Sequence, residues 1–360
     1  MTVERLLIVR LGSMGDIIHT LPAVAALRDA FPHATLGWAV EPRWRNLLSS
    51  DAALLGARSP QKPLVDKVHT VDTLGWRAVP FSGETWREVR STIRELRDPG
   101  YDVAIDFQGA WKSAMVALLS RAPRRLGFMQ PREKPATLFY THQVAARGRH
   151  IVEQNISLVT ELCGPGLRSA AQAQGCFPLP HDPAAERHVE RRLHSSGLHR
   201  FAIVNPGAGW GAKCWPAERY AEVVRALAVH GLDSIVNFGP GEEDLARALE
   251  SAAGGAAISM SSSVADLIGL TRRARLFVGG DTGPMHLAAA LGVPVVALFG
   301  PTDPARSGPY GNRAIVLRSP ASRTTSSHRP EPDEGLLQIT AAEVIAAARW
   351  LLAQPAEVRP

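Results

Sequence analysis

The sequence predicts an α/β protein made of two Rossmann-like domains, each a doubly wound parallel sheet, facing one another across a central cleft. Three observations carry this. Strand-like runs alternate with helix-like segments along nearly the whole chain, the pattern of a parallel sheet covered on both faces. The alternation breaks once, at a Gly- and Pro-rich stretch, and then starts again. At 360 residues the chain is also longer than one hydrophobic core usually organises.

In the first half, strands are expected at 6–9, 35–40, 68–71, 102–106 and 124–127. Between the first two, Ile17, Leu21, Val24, Leu27 and Phe31 recur at helical spacing, and 84–97 and 110–120 show the same period. The break falls at 163–168 and at 175–183, where three prolines join turn-forming residues. Strands then recur at 201–205, 234–238, 256–259, 276–279 and 295–300, with helices near 216–230, 242–252, 264–272 and 284–291. Residues 319–334 are polar and Pro-rich, as an exposed loop would be, and 340–352 reads as a last helix capped by Thr340. The expected domains are 1–175, 176–335 and a C-terminal helix and tail, 336–360, packing back toward the first domain.

Composition excludes several classes. With 45% apolar and 21% charged residues the chain folds as an ordinary globular protein. Cys163, Cys176 and Cys214 are odd in number and widely spaced, matching neither a disulfide framework nor a CxxC metal site. The apolar run at the N-terminus ends at Arg10, too short for a signal-peptide core. The longest uncharged stretch, 282–302, is bilayer-length but holds Pro284, Pro294 and Pro301, so a helix followed by a buried strand explains it better. Net charge is +6, and residues 1–165 carry +5 of it, from 21 Lys and Arg against 16 Asp and Glu. Such an excess suits an acidic substrate or an anionic membrane face. Without a basic run or an RNP-type aromatic stripe, nucleic acid is not an expected partner.

Four turns could carry chemistry. The first, Arg10-Leu-Gly-Ser-Met-Gly-Asp16, lacks the third glycine of a dinucleotide fingerprint, and no acidic residue ends the next strand in the ribose position. Gly15 would permit a tight turn and Asp16 would emerge at the carboxyl end of the first strand; the alternative is Asp16 as a helix N-cap. The second, Asp106-Phe-Gln-Gly-Ala-Trp-Lys-Ser113, would place Lys112 beside it. Arg77, Arg121, Arg124, Arg125, Arg132 and Lys134 supply the basic excess, mostly as surface charge. In the second half, Asn205-Pro-Gly-Ala-Gly-Trp-Gly-Ala-Lys213 is a glycine-dense turn whose lysine could neutralise a phosphate, though it is no Walker A motif. Finally, Val278-Gly-Gly-Asp-Thr-Gly-Pro-Met-His286 follows a strand and opens a helix whose free amides would bind a diphosphate; the alternative is a capped helix with His286 buried.

Together SMGDIIHTLPA (13–23), FQGAWKSA (107–114), Lys213-Cys-Trp-Pro216 and GGDTGPMHLAAALGVPVVALFGPTDP (279–304) resemble the ADP-heptose:lipopolysaccharide heptosyltransferases, glycosyltransferase family nine. The likeness runs from about Leu6 to Asp303. Arg132-Glu-Lys-Pro-Ala-Thr-Leu-Phe-Tyr140 is most similar to the heptosyltransferase I branch. The resemblance implies a GT-B fold and an inverting, metal-independent transfer, with no cofactor, from ADP-L-glycero-β-D-manno-heptose to the Kdo of a lipid A acceptor. It implies a cytoplasmic, monomeric enzyme touching the inner face of the cytoplasmic membrane. By matched motif, Asp16 is the base; Lys213, Asp281, Thr282, Gly283, His286 and Glu242 lie on the donor side; Gly15, His19, Arg77 and Lys112 lie on the acceptor side. Ala208 and Gly209 also fall on the donor side, where family members often carry Thr or Ser, so a hydroxyl contact to phosphate is missing. Cysteines common near the family's C-terminus are absent from 319–327.

Two rival classes accompany this reading: a nucleotide-sugar epimerase of GT-B architecture, which needs no lipid acceptor, and a non-catalytic nucleotide-sugar-binding protein. Asp16, Lys213 and Asp281 occurring together argue against the second.

Overall fold

The computed structural model describes residues 3–164, 176–311, 313–325 and 329–355. Residues 165–168 and 175 of the expected linker, 326–328 of the polar loop and 356–360 of the tail lie outside them. The chain divides into two compact units, Met1–His181 and Asp182–Pro360, placing the boundary six residues beyond the expected one.

The first unit runs β1 (Arg5–Val9), α1 (Met14–Ala30), β2 (Thr35–Val40), β3 (Lys67–Thr70), α2 (Thr73–Ala78), α3 (Gly83–Arg97), β4 (Val103–Asp106), α4 (Trp111–Leu119), β5 (Arg124–Phe128), β6 (His142–Val144) and α5 (Ile151–Cys163). Its six strands are all parallel in the order β3-β2-β1-β4-β5-β6. Central strands β1 and β4 are buried almost throughout, so they read as apolar runs without alternation. Helix α1 is apolar around its circumference, with 14 of its 17 residues buried, because it packs on other helices as well as on the sheet. Its neighbour α5, absent from the sequence expectation, lies against it, and Asn155 Nδ2 donates to the His19 carbonyl at 3.0 Å.

The second unit runs α6 (Pro183–Ser195), β7 (Phe201–Asn205), α7 (Ala217–Val229), β8 (Asp233–Phe238), α8 (Glu243–Ala252), β9 (Ala257–Ser261), α9 (Val264–Arg273), β10 (Leu276–Gly280), α10 (Gly283–Ala290), β11 (Val295–Phe299), α11 (Pro304–Ser307), β12 (Ala314–Arg318) and α12 (Ala341–Ala353). Its parallel order, β12-β11-β10-β7-β8-β9, is that of the first unit read from the other edge. The uncharged stretch 282–302 resolves into α10 and β11, as its prolines predict, and among the described residues no helix is long and apolar enough to cross a membrane.

Helix α12 packs on α7 and against β10, β11 and β12 of its own unit, where its face of Val344, Ala347, Ala348 and Leu351 completes the second core. The described residues of 319–334 are mostly exposed, as expected of a polar loop, and they are tied to the Lys213 turn at two points. Ala212 N–H donates to the Arg329 carbonyl at 3.0 Å, Asp333 N–H donates to the Ala212 carbonyl at 3.2 Å, and Ser322 is buried.

Both units share one consequence of strand order. The order reverses between β1 and β4 in the first unit and between β7 and β10 in the second, and ligands of doubly wound sheets bind outside the carboxyl ends of strands at such points. The four turns singled out in the sequence follow these four strands.

Candidate active site

In the first unit, Arg10 leaves β1 buried and spends its guanidinium inside the turn. Nη1 donates to the Phe107 carbonyl at 2.6 Å and Nη2 lies 2.7 Å from Asp16 Oδ1. Asp16 is not the N-cap of α1. Ser13 holds that position, and Asp16, three residues on, reaches back so that Oδ2 accepts from Ser13 N–H at 3.1 Å and Ser13 Oγ at 3.0 Å. This is the carboxylate half of a capping box. Gly15 lies buried within the first helical turn, and Gly12, just before the helix, has the Trp44 indole close against it.

Burial alone would raise the Asp16 pKa, but the Arg10 charge and the Ser13 bonds outweigh it and hold the carboxyl below its ordinary value. The side chain is 36% exposed. A carboxylate has about four lone-pair sites, so after these three bonds one exposed edge is left to accept from a substrate hydroxyl.

Lys112, on α4, belongs to a second cluster formed at the ends of β2, β3 and β4. Its Nζ donates to Thr73 Oγ1 at 3.1 Å and lies 3.6 Å from Glu41 Oε1, which also accepts from the Thr73 hydroxyl. Glu41 is 4% exposed and Lys112 40%, so the buried carboxylate is anchored while the ammonium fronts solvent. The Glu41 N–H donates to the Leu11 carbonyl at 3.0 Å, tying this cluster to the Asp16 turn. Arg77 is exposed one helical turn beyond Thr73. His19 is buried on α1 with its ring edge-on to His150 at 5.3 Å, in the helix packing rather than in the Lys112 cluster.

Asp106 shapes the turn that carries Lys112. Wholly buried, it accepts from Gln108 N–H, Gly109 N–H, Ser113 Oγ and Tyr140 Oη at 2.7–3.2 Å. Burial pushes its pKa up despite these donors. Gly109 has φ +64°, and a Cβ there would meet Pro131 at 3.0 Å, so glycine is required. Gln108 Oε1 in turn accepts from Leu11 N–H at 2.9 Å. Arg125 donates to the Ala122 and Phe139 carbonyls, so it is a scaffold residue.

In the second unit the turns after β7 and β10 meet. Lys213 Nζ lies 2.6 Å from Asp281 Oδ2 and donates to the Asp281 carbonyl at 3.3 Å; His286 Nε2 lies 3.1 Å from Asp281 Oδ1. Burial opposes ionisation of Asp281, but His286 and Lys213 overcome it and hold its pKa far below the ordinary value. Lys213 also lies 5.4 Å from the Trp210 ring. Trp215 anchors the turn: it is buried, donates to the Ile339 carbonyl at 3.0 Å and packs edge-on to Tyr220.

Thr282 is the N-cap of α10 by position, yet its hydroxyl caps nothing and points to the Gly280 carbonyl at 3.4 Å. Among the described residues no side chain caps the first turn, which begins with Gly283 and Pro284. Its amides and the positive end of the helix therefore remain available to an anion. Glu242, at the N-cap of α8, accepts from Gly239 N–H at 2.9 Å and lies so close to Gly207 that any Cβ there would collide with its carboxylate. Ala208 is half-buried and Gly209 exposed on the same turn. Arg10, Ser13, Glu41, Thr73 and Asp106 were not singled out in the sequence; Glu41-Pro42 directly after a strand was a legible signal.

Two parallel sheets of identical strand order, each with its polar turns at the point of reversal, define a GT-B glycosyltransferase architecture. The chain belongs to glycosyltransferase family 9 (heptosyltransferase), whose profile matches residues 89–336. It is 31% identical over 321 residues to lipopolysaccharide heptosyltransferase 1 of Escherichia coli K12, covering 88% of this chain and 94% of that one. A solved structure of E. coli heptosyltransferase WaaC with ADP superposes with a TM-score of 0.76 at 27% identity, over 96% of this chain and 99% of the other. WaaC with ADP-2-deoxy-2-fluoro heptose gives 0.71 at 28% identity, over 94% and 97%.

Proposed function

We propose that this enzyme moves heptose from ADP-L-glycero-β-D-manno-heptose to the Kdo region of the lipopolysaccharide inner core, by an inverting single displacement. The observation that carries this is the placement of Asp16, Lys112, Lys213 and Asp281 on the four turns at the two points of strand-order reversal. The first unit takes the acceptor role and the second the donor role. Family membership favours transfer over the epimerase and the non-catalytic readings.

One bond forms between an acceptor hydroxyl oxygen and the anomeric carbon, while the bond from that carbon to the β-phosphate oxygen breaks. The hydroxyl proton passes to Asp16, and the bonding electron pair leaves with ADP. Because Arg10 keeps Asp16 ionised, the base is ready at any physiological pH. Its low basicity suits a proton lost late, when the oxygen has begun to bond to carbon. Charge growing on ADP meets Lys213 and the uncapped amides of α10, with Asp281 fixing the ammonium. That supply of positive charge supports a transfer without a metal or other cofactor.

On the acceptor side, Lys112 offers an ammonium to an acidic sugar, and exposed Arg77 lies on α2 one helical turn beyond Thr73, which bonds to Lys112. The excess charge of the first half suits an anionic substrate at the inner face of the cytoplasmic membrane. We infer that the enzyme acts there as a peripheral, cytoplasmic monomer. Incubation with ADP-heptose and Kdo-lipid A, followed by mass spectrometry, tests the reading: one added heptose with equimolar ADP is expected. Turnover only on an already heptosylated acceptor would move the enzyme to a later step, and donor consumption without a lipid product would overturn the acceptor.

A further inference from the structure

At the opposite end of the second sheet, four adjacent strands begin at one cavity. In sheet order the residues just before β12, β11, β10 and β7 are Arg313, Pro294, Arg275 and Arg200, and all four line a cavity of about 250 Å³. The end of α12 forms its other wall, with Leu351, Leu352 and Gln354.

The three arginines are set by sheet geometry. Arg275 N–H donates to the Phe201 carbonyl at 2.9 Å, the Arg313 carbonyl accepts from Val295 N–H at 2.9 Å, and the Arg200 carbonyl accepts from Asp233 N–H at 3.1 Å. Neighbouring strands lie about 4.8 Å apart, so the backbones of Arg313 and Arg200 start about 14 Å apart with Arg275 between them, and the side chains of all three reach the one cavity. Among the described residues none of the three guanidinium groups has a hydrogen-bond or ion-pair partner, and no carboxylate of those residues lines the cavity. Three like charges around one cavity repel, and the C-terminal end of α12 supplies only about half a negative charge in compensation. An anion with several acceptor oxygens resolves the imbalance, and guanidinium binds phosphate in bidentate fashion.

We propose that this cavity is a binding site for the phosphate group of a phosphate ester. It is separate from the Lys213 turn, because β7 carries the chain about 16 Å from one end of the sheet to the other. The phosphate can come from an anionic phospholipid headgroup or from a soluble ester; the chemistry recognised is the same.

The test uses the full chain saturated with ADP, so that the Lys213 site is filled. Two probes are titrated: sn-glycerol 3-phosphate, by calorimetry, and vesicles of phosphatidylglycerol against phosphatidylcholine, by co-sedimentation. Wild type is expected to bind at least one phosphate probe, and Arg275→Gln with Arg313→Gln to weaken that binding at least about tenfold, since each charged hydrogen bond contributes roughly 1.5–3 kcal/mol. ADP affinity should be unchanged in that variant. Arg87→Gln with Arg90→Gln, which removes equal charge from exposed α3, should leave probe binding intact. Binding of glycerol phosphate identifies a soluble ester, and binding of phosphatidylglycerol vesicles alone identifies a headgroup. Should the double variant lose ADP binding as well, Arg200→Gln at the exposed rim decides, with a several-fold loss expected. The proposal is overturned if neither probe binds, if the pocket variants bind as tightly as wild type, or if the α3 pair loses as much.

Discussion

The Arg10 guanidinium lies 2.7 Å from Asp16 Oδ1 and simultaneously donates to the Phe107 carbonyl, so one buried cation fixes the acid of the first turn to the backbone of the second. Arg10 is thus a positioning residue for Asp16. Arg10→Gln removes the opposing charge and lets the Asp16 pKa rise. A base must be deprotonated, so the acidic limb of the kcat/KM profile is expected to move to higher pH, with Arg10→Lys restoring much of it. A drop in activity without movement of that limb would leave Arg10 a purely structural residue.

Asp16→Ala is expected to lower turnover by about 10²–10⁴-fold, the usual contribution of a general base. ADP affinity, measured by calorimetry, should stay within about twofold, because ADP is assigned to the second unit. Near-normal heptose transfer in this variant would reduce Asp16 to its part in the capping box.

Lys213→Ala should weaken ADP binding by about 10–100-fold, as loss of a charge-assisted contact to phosphate predicts. It also removes one of the two partners of buried Asp281, leaving His286, and losing a partner of a buried charge is destabilising. Calorimetric unfolding should therefore show a lower Tm. The sign with pH follows from the depressed pKa of Asp281. The ionised group stabilises the fold fully above its unfolded pKa of about 3.9, and that contribution is lost as pH falls through the folded value. The Tm gap between wild type and Lys213→Ala should accordingly narrow in acid.

Glu41→Gln leaves Lys112 without its buried counter-charge and frees the ammonium from one fixed position. The expected result is a several-fold rise in KM for the Kdo-lipid acceptor, with ADP-heptose KM unchanged. Equal effects on both substrates would place the Glu41 cluster in folding rather than in acceptor binding.

Removal of divalent ions with EDTA should leave the initial rate unchanged, given the cationic and amide charge that Lys213 and α10 provide. A rate that falls and returns with Mg²⁺ would overturn metal independence.

Much of the fold was legible because buried parallel strands are apolar runs of five or six residues and their helices have a clear period. What escaped has identifiable causes. Helix α5 follows a polar stretch, although His150 and Glu153 already form a capping pair and Ile156 and Val159 keep helical spacing. Helix α6 hides behind Asp182-Pro183, which reads as a turn but is an N-cap followed by a first-turn proline. In the site, Asp16, Lys213 and the Asp281 turn stood out because glycine-rich motifs announce them. Glu41 and Thr73 did not, since a lone residue after a strand acquires meaning only when folding brings it to Lys112.

The repeated strand order has an evolutionary corollary. Because the candidate groups sit on βα turns and the first helical turns that follow them, outside the pleated scaffold, substitutions there can change one lobe's ligand contacts while leaving the sheet of either lobe untouched. New specificities can thus arise by exchanging short segments, with no need to invent a new framework.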